Sequence, residues 1–336
     1  MSVATAGSLV DTHHPAASVL LLRLLLSLLL GSMIITPSVF QPSLDAIYAI
    51  LSRSHIYKAS IFETVWTVLI YAVIEPSYTY RFAHHPELRL SVQKDQDVSK
   101  PRPKMTRPQR RIREGLTYIT PLLAMDLTMI KKFGGVSGQD MALSGNYELS
   151  GAEMSESFLT PTLHNFSWKS PLQTQRALPT APPTSRQLVS QLALSILIYD
   201  AAFFWFHLAL HKIPHLKALH AVHHRHQEIY PQITNRLDIV ERLGLVLLAN
   251  FSLNIIGSHV LTRTLFVPVF VWLLVDIHSG LDQEWGYDKL LPKGWAGGSK
   301  RHSFHHQYGT RYYEPFFNWW DDGLQRIQSW WSAEPV

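Results

Sequence analysis

The chain has 336 residues, enough for one large domain or two small ones, and 46% of them are apolar while only 16% are charged, against about 25% in soluble domains. That deficit points to a membrane, and the formal charge of +5 suits a surface lying against anionic lipid. Cysteine is absent, which excludes disulfides, zinc–thiolate and iron–sulfur sites and thiolate-ligated haem, so any metal here is held by nitrogen and oxygen. No alternation of basic and aromatic residues supports a nucleic-acid partner.

Residues 1–16 carry no structural signal. Ala17 to Ile35 is a leucine-rich run of the length a spanning helix needs, with Arg23 near enough to its start to snorkel. No A-x-A-like cleavage site follows it, so it reads as a retained anchor. A second apolar run, Ala59 to Ile74, is expected to end at Glu75-Pro76. Arg81 to Arg113 holds ten Lys or Arg, in excess of its acids, and Pro101, Pro103 and Pro108 oppose regular structure there. Such a loop beside apolar spans marks the cytosolic side. Leu116 to Ile130 is the weakest span, interrupted by Pro121 and Asp126. Next comes a segment rich in Ser, Thr, Gly and Pro that reads as a linker or an excursion outside the core.

Leu188 to Phe206 then delivers His207 at its end. Leu243 to Ile256 and Leu265 to Ile277 surround a polar break at Ser258 to Thr264, and they read as a hairpin that returns His278 to the side it left. From Ser279 onward the chain is polar and rich in Trp and Tyr. Gly294-Trp-Ala-Gly-Gly298 lacks dinucleotide-loop spacing and reads as a turn. Trp319, Trp320, Trp330 and Trp331 are expected beneath a site or at the headgroup level. The fold expected is therefore all-α: an integral membrane bundle of about four spans plus a helical hairpin, with a cytosolic histidine-rich helical cap. Its expected divisions are an anchor region with the basic loop (1–131), a linker or lumenal loop (132–186) and a catalytic domain (187–330).

Twelve of the 18 histidines lie between positions 207 and 306. His207 and His211 stand one helical turn apart, and His220, His223 and His224 fall at i, i+3 and i+4; His302, His305 and His306 repeat that spacing. Crowding of imidazoles is costly unless a cation binds their neutral form. These eight are too many for one ion, and His278, at the end of an apolar segment, makes a ninth, so two ions with four or five ligands each use the set well. Imidazole alone does not name the metal. The lack of H-E-x-x-H disfavours a zinc protease, and an apolar setting without hydrolytic machinery favours iron. Asp200, an ionisable residue inside an apolar helix two turns before His207, is expected behind that histidine, where it would fix the ring's tautomer. Asp276, in V-D-I-H-S-G, is placed behind the ligands as well. His215, His226 and His259 fall outside the pattern.

The ordered motifs H-L-A-L-H, H-A-V-H-H, V-D-I-H-S-G, G-W-A-G-G, H-S-F-H-H and W-W-D resemble the fatty acid hydroxylase (sterol desaturase) superfamily of membrane di-iron enzymes, over about residues 188–325. The resemblance carries the box histidines onto the same nine positions and an acidic residue before the first box onto Asp200. It implies an endoplasmic reticulum enzyme with cytosolic histidines, two iron ions (zinc substituting on overexpression) and O2. Electrons would come from NADPH or NADH through cytochrome b5 or a reductase, and the substrate would be a lipophilic small molecule in the bilayer. Where many sterol-acting members read H-P-x-E after the second box, this chain reads Asp238-Ile-Val-Glu241. A desaturase or methylsterol oxidase with the same site, and a histidine-rich metal transporter, are the competing readings. Two crossings between the basic loop and His207 would leave Asn165-Phe-Ser lumenal as a glycosylation acceptor, while Asn250-Phe-Ser, in an apolar segment, would stay unmodified.

Overall fold

The computed structural model describes residues 16–90, 112–148, 157–225 and 228–332. Most of the basic stretch, residues 91–111, lies outside the described residues, as does His226. Among the described residues the protein is all-helical, with isolated β-bridges and no strand.

Helix α1 (Ala17–Ile35) coincides with the first apolar run. Its Arg23 does not snorkel to water: Nε donates to the Lys289 carbonyl at 2.8 Å and Nη2 to that of Leu291 at 2.8 Å, tying the start of α1 to the C-terminal region. At its other end Ser185 Oγ donates to the Met33 carbonyl. Helix α2 (Pro37–Arg53) follows, in a stretch for which no element was expected. Pro37 lies in the first turn, where a missing N–H costs nothing, and Leu44 and Tyr48 supply a buried face.

Helix α3 (Phe62–His84) continues past Glu75-Pro76 for two more turns, contrary to the expected stop. An interior proline costs about 3 kcal/mol. The extra turns bury Tyr78 and Phe82 against Val271, Val275 and Leu281, each worth about 2–3 kcal/mol, and Tyr78 Oη donates to Asp276 Oδ1 at 2.9 Å. Packing therefore outweighs the local penalty. Helix α4 (Ile112–Thr128) runs back the other way, with Asp126 Oδ2 accepting from the Thr64 hydroxyl and N–H at the start of α3.

Helix α5 (Ser185–Lys212) opens with a capping box in which Thr184 and Gln187 satisfy each other's backbone N–H. It runs unbroken through His207 and His211, and α6 (Pro214–His220) restarts the chain with proline in its first turn. Helices α7 (Ile239–Asn254) and α8 (Val260–Ile277) form the expected hairpin, but the break falls earlier than Ser258 to Thr264. His259 causes this shift: its Nδ1 accepts from the Leu261 N–H at 3.1 Å and caps α8. His259 is thus a buried structural residue rather than a solvated one. Helices α9 (Gly298–Tyr308) and α10 (Trp319–Ser332) complete the chain.

Among the described residues three helices, α1, α5 and α8, are long and apolar enough to cross a membrane. The bundle has two unlike ends. The histidines gather at one, where α5 and α8 finish and α7 begins. At the other, described residues of the Ser/Thr/Pro-rich segment pack against the bundle. Its Arg176 is buried and donates to Glu63 Oε1 at 3.1 Å and to the Tyr57 carbonyl at 2.7 Å. Glu63 also accepts from Arg263 and Lys131, and Lys131 pairs with Asp126 at 2.9 Å. Asn165 is exposed at this end, and Asn250 lies within α7 with its Oδ1 on Arg263.

Candidate metal centre

All nine sequence-predicted histidines meet at one end of the bundle, in two groups: His207, His211, His220, His224 and His305, and His223, His278, His302 and His306. In each group one nitrogen from every ring lies within 4.8 Å of all the others. Three features of the chain bring them together. The unbroken α5 stacks His207 over His211, with ring centroids 5.0 Å apart. The turn after α6 sends the adjacent His223 and His224 into different groups, and α9 does the same with His305 and His306. The hairpin returns His278, whose Nε2 stands 3.2 Å from that of His223 and 3.0 Å from that of His302.

Tautomers decide what these contacts mean. A backbone carbonyl only accepts, so a ring nitrogen facing one carries the proton. His207 Nδ1–H donates to the Tyr313 carbonyl at 2.8 Å, His305 Nδ1–H to that of Arg311 at 2.8 Å, and His278 Nδ1–H to that of Leu274 at 2.7 Å. Their Nε2 atoms are then bare lone pairs. Yet His207 Nε2 is 3.1 Å from His220 Nε2, and His305 Nε2 is 3.0 Å from His211 Nε2 and 3.1 Å from His224 Nε2. With metal–nitrogen bonds of about 2.0–2.1 Å, nitrogens at right angles around one ion stand about 3 Å apart. Inward lone pairs at this spacing fit a cation shared among them.

Burial keeps the rings neutral, as metal ligation requires. It holds His224 and His278 at about 4. Burial, reinforced by the neighbouring histidines, lowers His220, His223, His302 and His305 well below the usual imidazole range. The donor set is nitrogen only, compatible with iron and equally with zinc, copper or nickel.

The supports behind the rings differ from those expected. Asp200 touches no histidine. Its oxygens accept from the Phe316 N–H at 2.9 Å and Trp320 Nε1 at 2.7 Å, anchoring the segment whose Tyr313 carbonyl orients His207. Asp276 accepts from Tyr78 Oη and the Tyr287 N–H, not from His278. The carboxylate that does meet a ring is Glu241, with Oε1 2.8 Å from His220 Nδ1, and burial pushes it up to about 8. Its signal was in the sequence: the acid at the fourth place of Asp238-Ile-Val-Glu241, in the first turn of an apolar helix that Asp238 caps. Tyr312 adds backbone strain, with φ of 61° in the left-handed region. It lies between Arg311 and Tyr313, the two residues whose carbonyls hold His305 and His207. His215 is exposed and joins neither group.

Removing the carboxylate from Glu241 should loosen His220. Glu241→Gln is expected to weaken metal binding by about 10–100-fold, measured by competition with a chelator, and an unchanged affinity would make the contact merely structural.

Beside the centre, α3, α4, α7 and α8 line a narrow, open-mouthed cleft. Tyr71, Leu122, Leu245, Val246, Phe266 and Phe270 are among its apolar walls. Its lining reaches the histidines through Leu274, whose carbonyl holds His278, and through Arg242, next in sequence to Glu241.

Comparison with known proteins agrees with this geometry. Residues 192–325 match the family model for fatty acid hydroxylase, a span that contains every histidine of both groups. This part of the chain is similar to the fatty acid hydroxylase family. Curated relatives include cholesterol 25-hydroxylase of Rattus norvegicus, 34% identical over 152 residues, which are 45% of this chain and 51% of that protein. The Homo sapiens cholesterol 25-hydroxylase is 32% identical over 153 residues, 45% of this chain and 56% of that protein. The methylsterol monooxygenase erg25A of Aspergillus fumigatus is 29% identical over 147 residues, 41% of this chain and 47% of that protein. The chain thus spans about half the length of the curated relatives it matches. No solved structure matches it.

Proposed function

We propose that this chain is a membrane-bound non-haem di-iron oxygenase that hydroxylates an unactivated C–H bond of a lipid, sterol or terpenoid-like substrate. The observation that carries this reading is the convergence of ring nitrogens in the two histidine groups, with the protons of His207, His278 and His305 drawn outward by backbone carbonyls. His207, His211, His220, His224 and His305 would hold one iron ion, and His223, His278, His302 and His306 the other. Bound iron would supply one-electron redox chemistry and O2 activation, which no side chain of this protein offers. The chain's own work is positional. The carbonyls of Leu274, Arg311 and Tyr313 fix the tautomer and plane of His278, His305 and His207, and Glu241 does the same for His220. The apolar cleft excludes water and admits a hydrocarbon. Electrons would arrive from NADPH or NADH through cytochrome b5 or a reductase.

The likeness to a methylsterol monooxygenase favours a second reading, methyl oxidation at the same centre. A metal transporter is the rival from another class. Purified protein given membrane lipid extracts should consume O2 and yield lipids heavier by one oxygen atom. Metal flux without O2 consumption would favour the transporter.

The proposed location is the endoplasmic reticulum membrane with the histidines facing the cytosol. Arg81, where the basic stretch begins, stacks over Trp285 at the histidine end, which supports a cytosolic metal centre by the positive-inside rule. Asn165, exposed at the opposite end, is then lumenal. Expression in a eukaryotic membrane should give a glycosidase-sensitive shift that Asn165→Gln removes, with Asn250 unmodified. Cleavage within residues 134–185 by a protease added from the cytosolic side would contradict this topology.

A further inference from the structure

The segment between α9 and α10 gives the five-histidine group more than two carbonyls. Tyr313, whose carbonyl holds His207, also lays its ring against His211 and His305, with centroids 5.2 and 5.6 Å apart. This one residue therefore orients or covers three of the five rings. It follows Tyr312, whose φ of 61° is a conformation that strains a bulky side chain. Such strain persists only where the surroundings hold the backbone in place.

Arg301 is placed to do this. It lies in the first turn of α9, directly before His302, and its guanidinium meets the residues on both sides of Tyr313. Nε forms an ion pair with Glu314 Oε1 at 2.6 Å, and the guanidinium carbon stands 4.6 Å from the centre of the Tyr312 ring. Nη2 donates to Asp322 Oδ1 at 3.2 Å in α10, and the Glu314 N–H donates to Asp321 Oδ2 of the same helix at 2.6 Å. Glu314 is buried, so loss of the cation would leave a charge out of water without this partner. Gly297 makes room for the arginine stem, since a Cβ there would stand 2.8 Å from Arg301 Cδ.

We propose that Arg301 is a positioning residue for the five-histidine group: by pairing with Glu314 and covering Tyr312, it holds the Arg311 and Tyr313 carbonyls where His305 and His207 need them. The other group is supported differently, because His278 gives its proton to the Leu274 carbonyl within α8. Loosening the segment should therefore release one ion and spare the other. The inference rests on the reading that each group holds an ion, and it makes the two ions unequal in what retains them.

Two readouts on full-length protein in detergent test this. Hydrogen–deuterium exchange reports the segment with or without metal, and release of zinc from the loaded protein to a coloured chelator reports the ions. In Arg301→Gln the amides of residues 309–316 should exchange about 10–100-fold faster, and one of the two ions should leave about 10–100-fold faster while the other keeps its rate. Glu314→Gln should do the same, and the double variant should add little to either change alone. Arg301→Lys keeps the charge but not the planar reach over Tyr312, and should fall between. Asp322→Asn, at the more exposed carboxylate, should change little. Unchanged exchange in Arg301→Gln and Glu314→Gln overturns the proposal. Faster exchange with both ions retained, or with both lost alike, overturns it too, since a purely structural role would give either. Faster exchange in a protein that takes up no metal would support Arg301 as the clamp of this segment while removing the metal-centre reading itself.

Discussion

His305→Ala is expected to abolish turnover and to lower the metal content of the five-histidine group, while leaving the helical bundle in place. His305 is fully buried, and its Nε2 is the meeting point of two others, 3.0 Å from His211 and 3.1 Å from His224. Its loss removes one donor and separates two more. The Arg311 carbonyl also loses its partner, at a cost of about 1–3 kcal/mol for a buried unsatisfied group. That is too little to dissolve a bundle whose helices pack along several faces. Circular dichroism should therefore be unchanged while O2 consumption disappears. His215→Ala is the control, since that exposed ring belongs to neither group, and full activity is expected. Full activity in His305→Ala would remove it from the ligand set.

Gly280→Ala is expected to have the largest effect on stability, about 2–4 kcal/mol, and to empty the four-histidine group first. Gly280 follows His278 by two residues and has φ of +68°, a conformation that L side chains rarely adopt. A Cβ there would stand 2.2 Å from the Ile229 carbonyl oxygen. The clash is with backbone, so no rotamer relieves it. The same residue ties three segments together: its N–H donates to Ser299 Oγ at 2.9 Å, in the first turn of α9, and its carbonyl accepts from the Leu90 N–H at 2.9 Å. Displacing it moves His278 away from His223 and His302. A thermal melt in detergent and metal analysis should both register the change, and a melt within error of the unmodified protein would refute the account of this turn.

The parts of this protein legible in its sequence are those written as local periodicity. The leucine run of α1, the one-turn spacing of His207 and His211, and the repeated i, i+3, i+4 histidines each follow from helix geometry. What escaped is what depends on contacts far apart in the chain. His220 meets Glu241 across 21 positions, and His207 meets the Tyr313 carbonyl across 106. The identity of a residue does not announce which backbone carbonyl will face it. Asp200 was recognisable as an ionisable residue in an apolar helix, but its partners, Phe316 and Trp320, come from the other end of the domain. The ordering of the Ser/Thr/Pro-rich segment was hidden for a related reason. Its composition suggests a linker, whereas buried Arg176 ties it to the Tyr57 carbonyl and Glu63, and buried His164 cross-links it internally through Gln173. Pro76 misled because a local helix penalty is smaller than the burial it competes with.

The central claim is that the two histidine groups each hold one metal ion. Elemental analysis of the full chain, purified from a eukaryotic membrane and shown folded by circular dichroism, tests this most directly. The account predicts two ions per chain, iron in the native membrane and zinc where overexpression outruns the iron supply, falling toward one in His305→Ala. A well-folded, unmodified protein carrying one ion or none would contradict it.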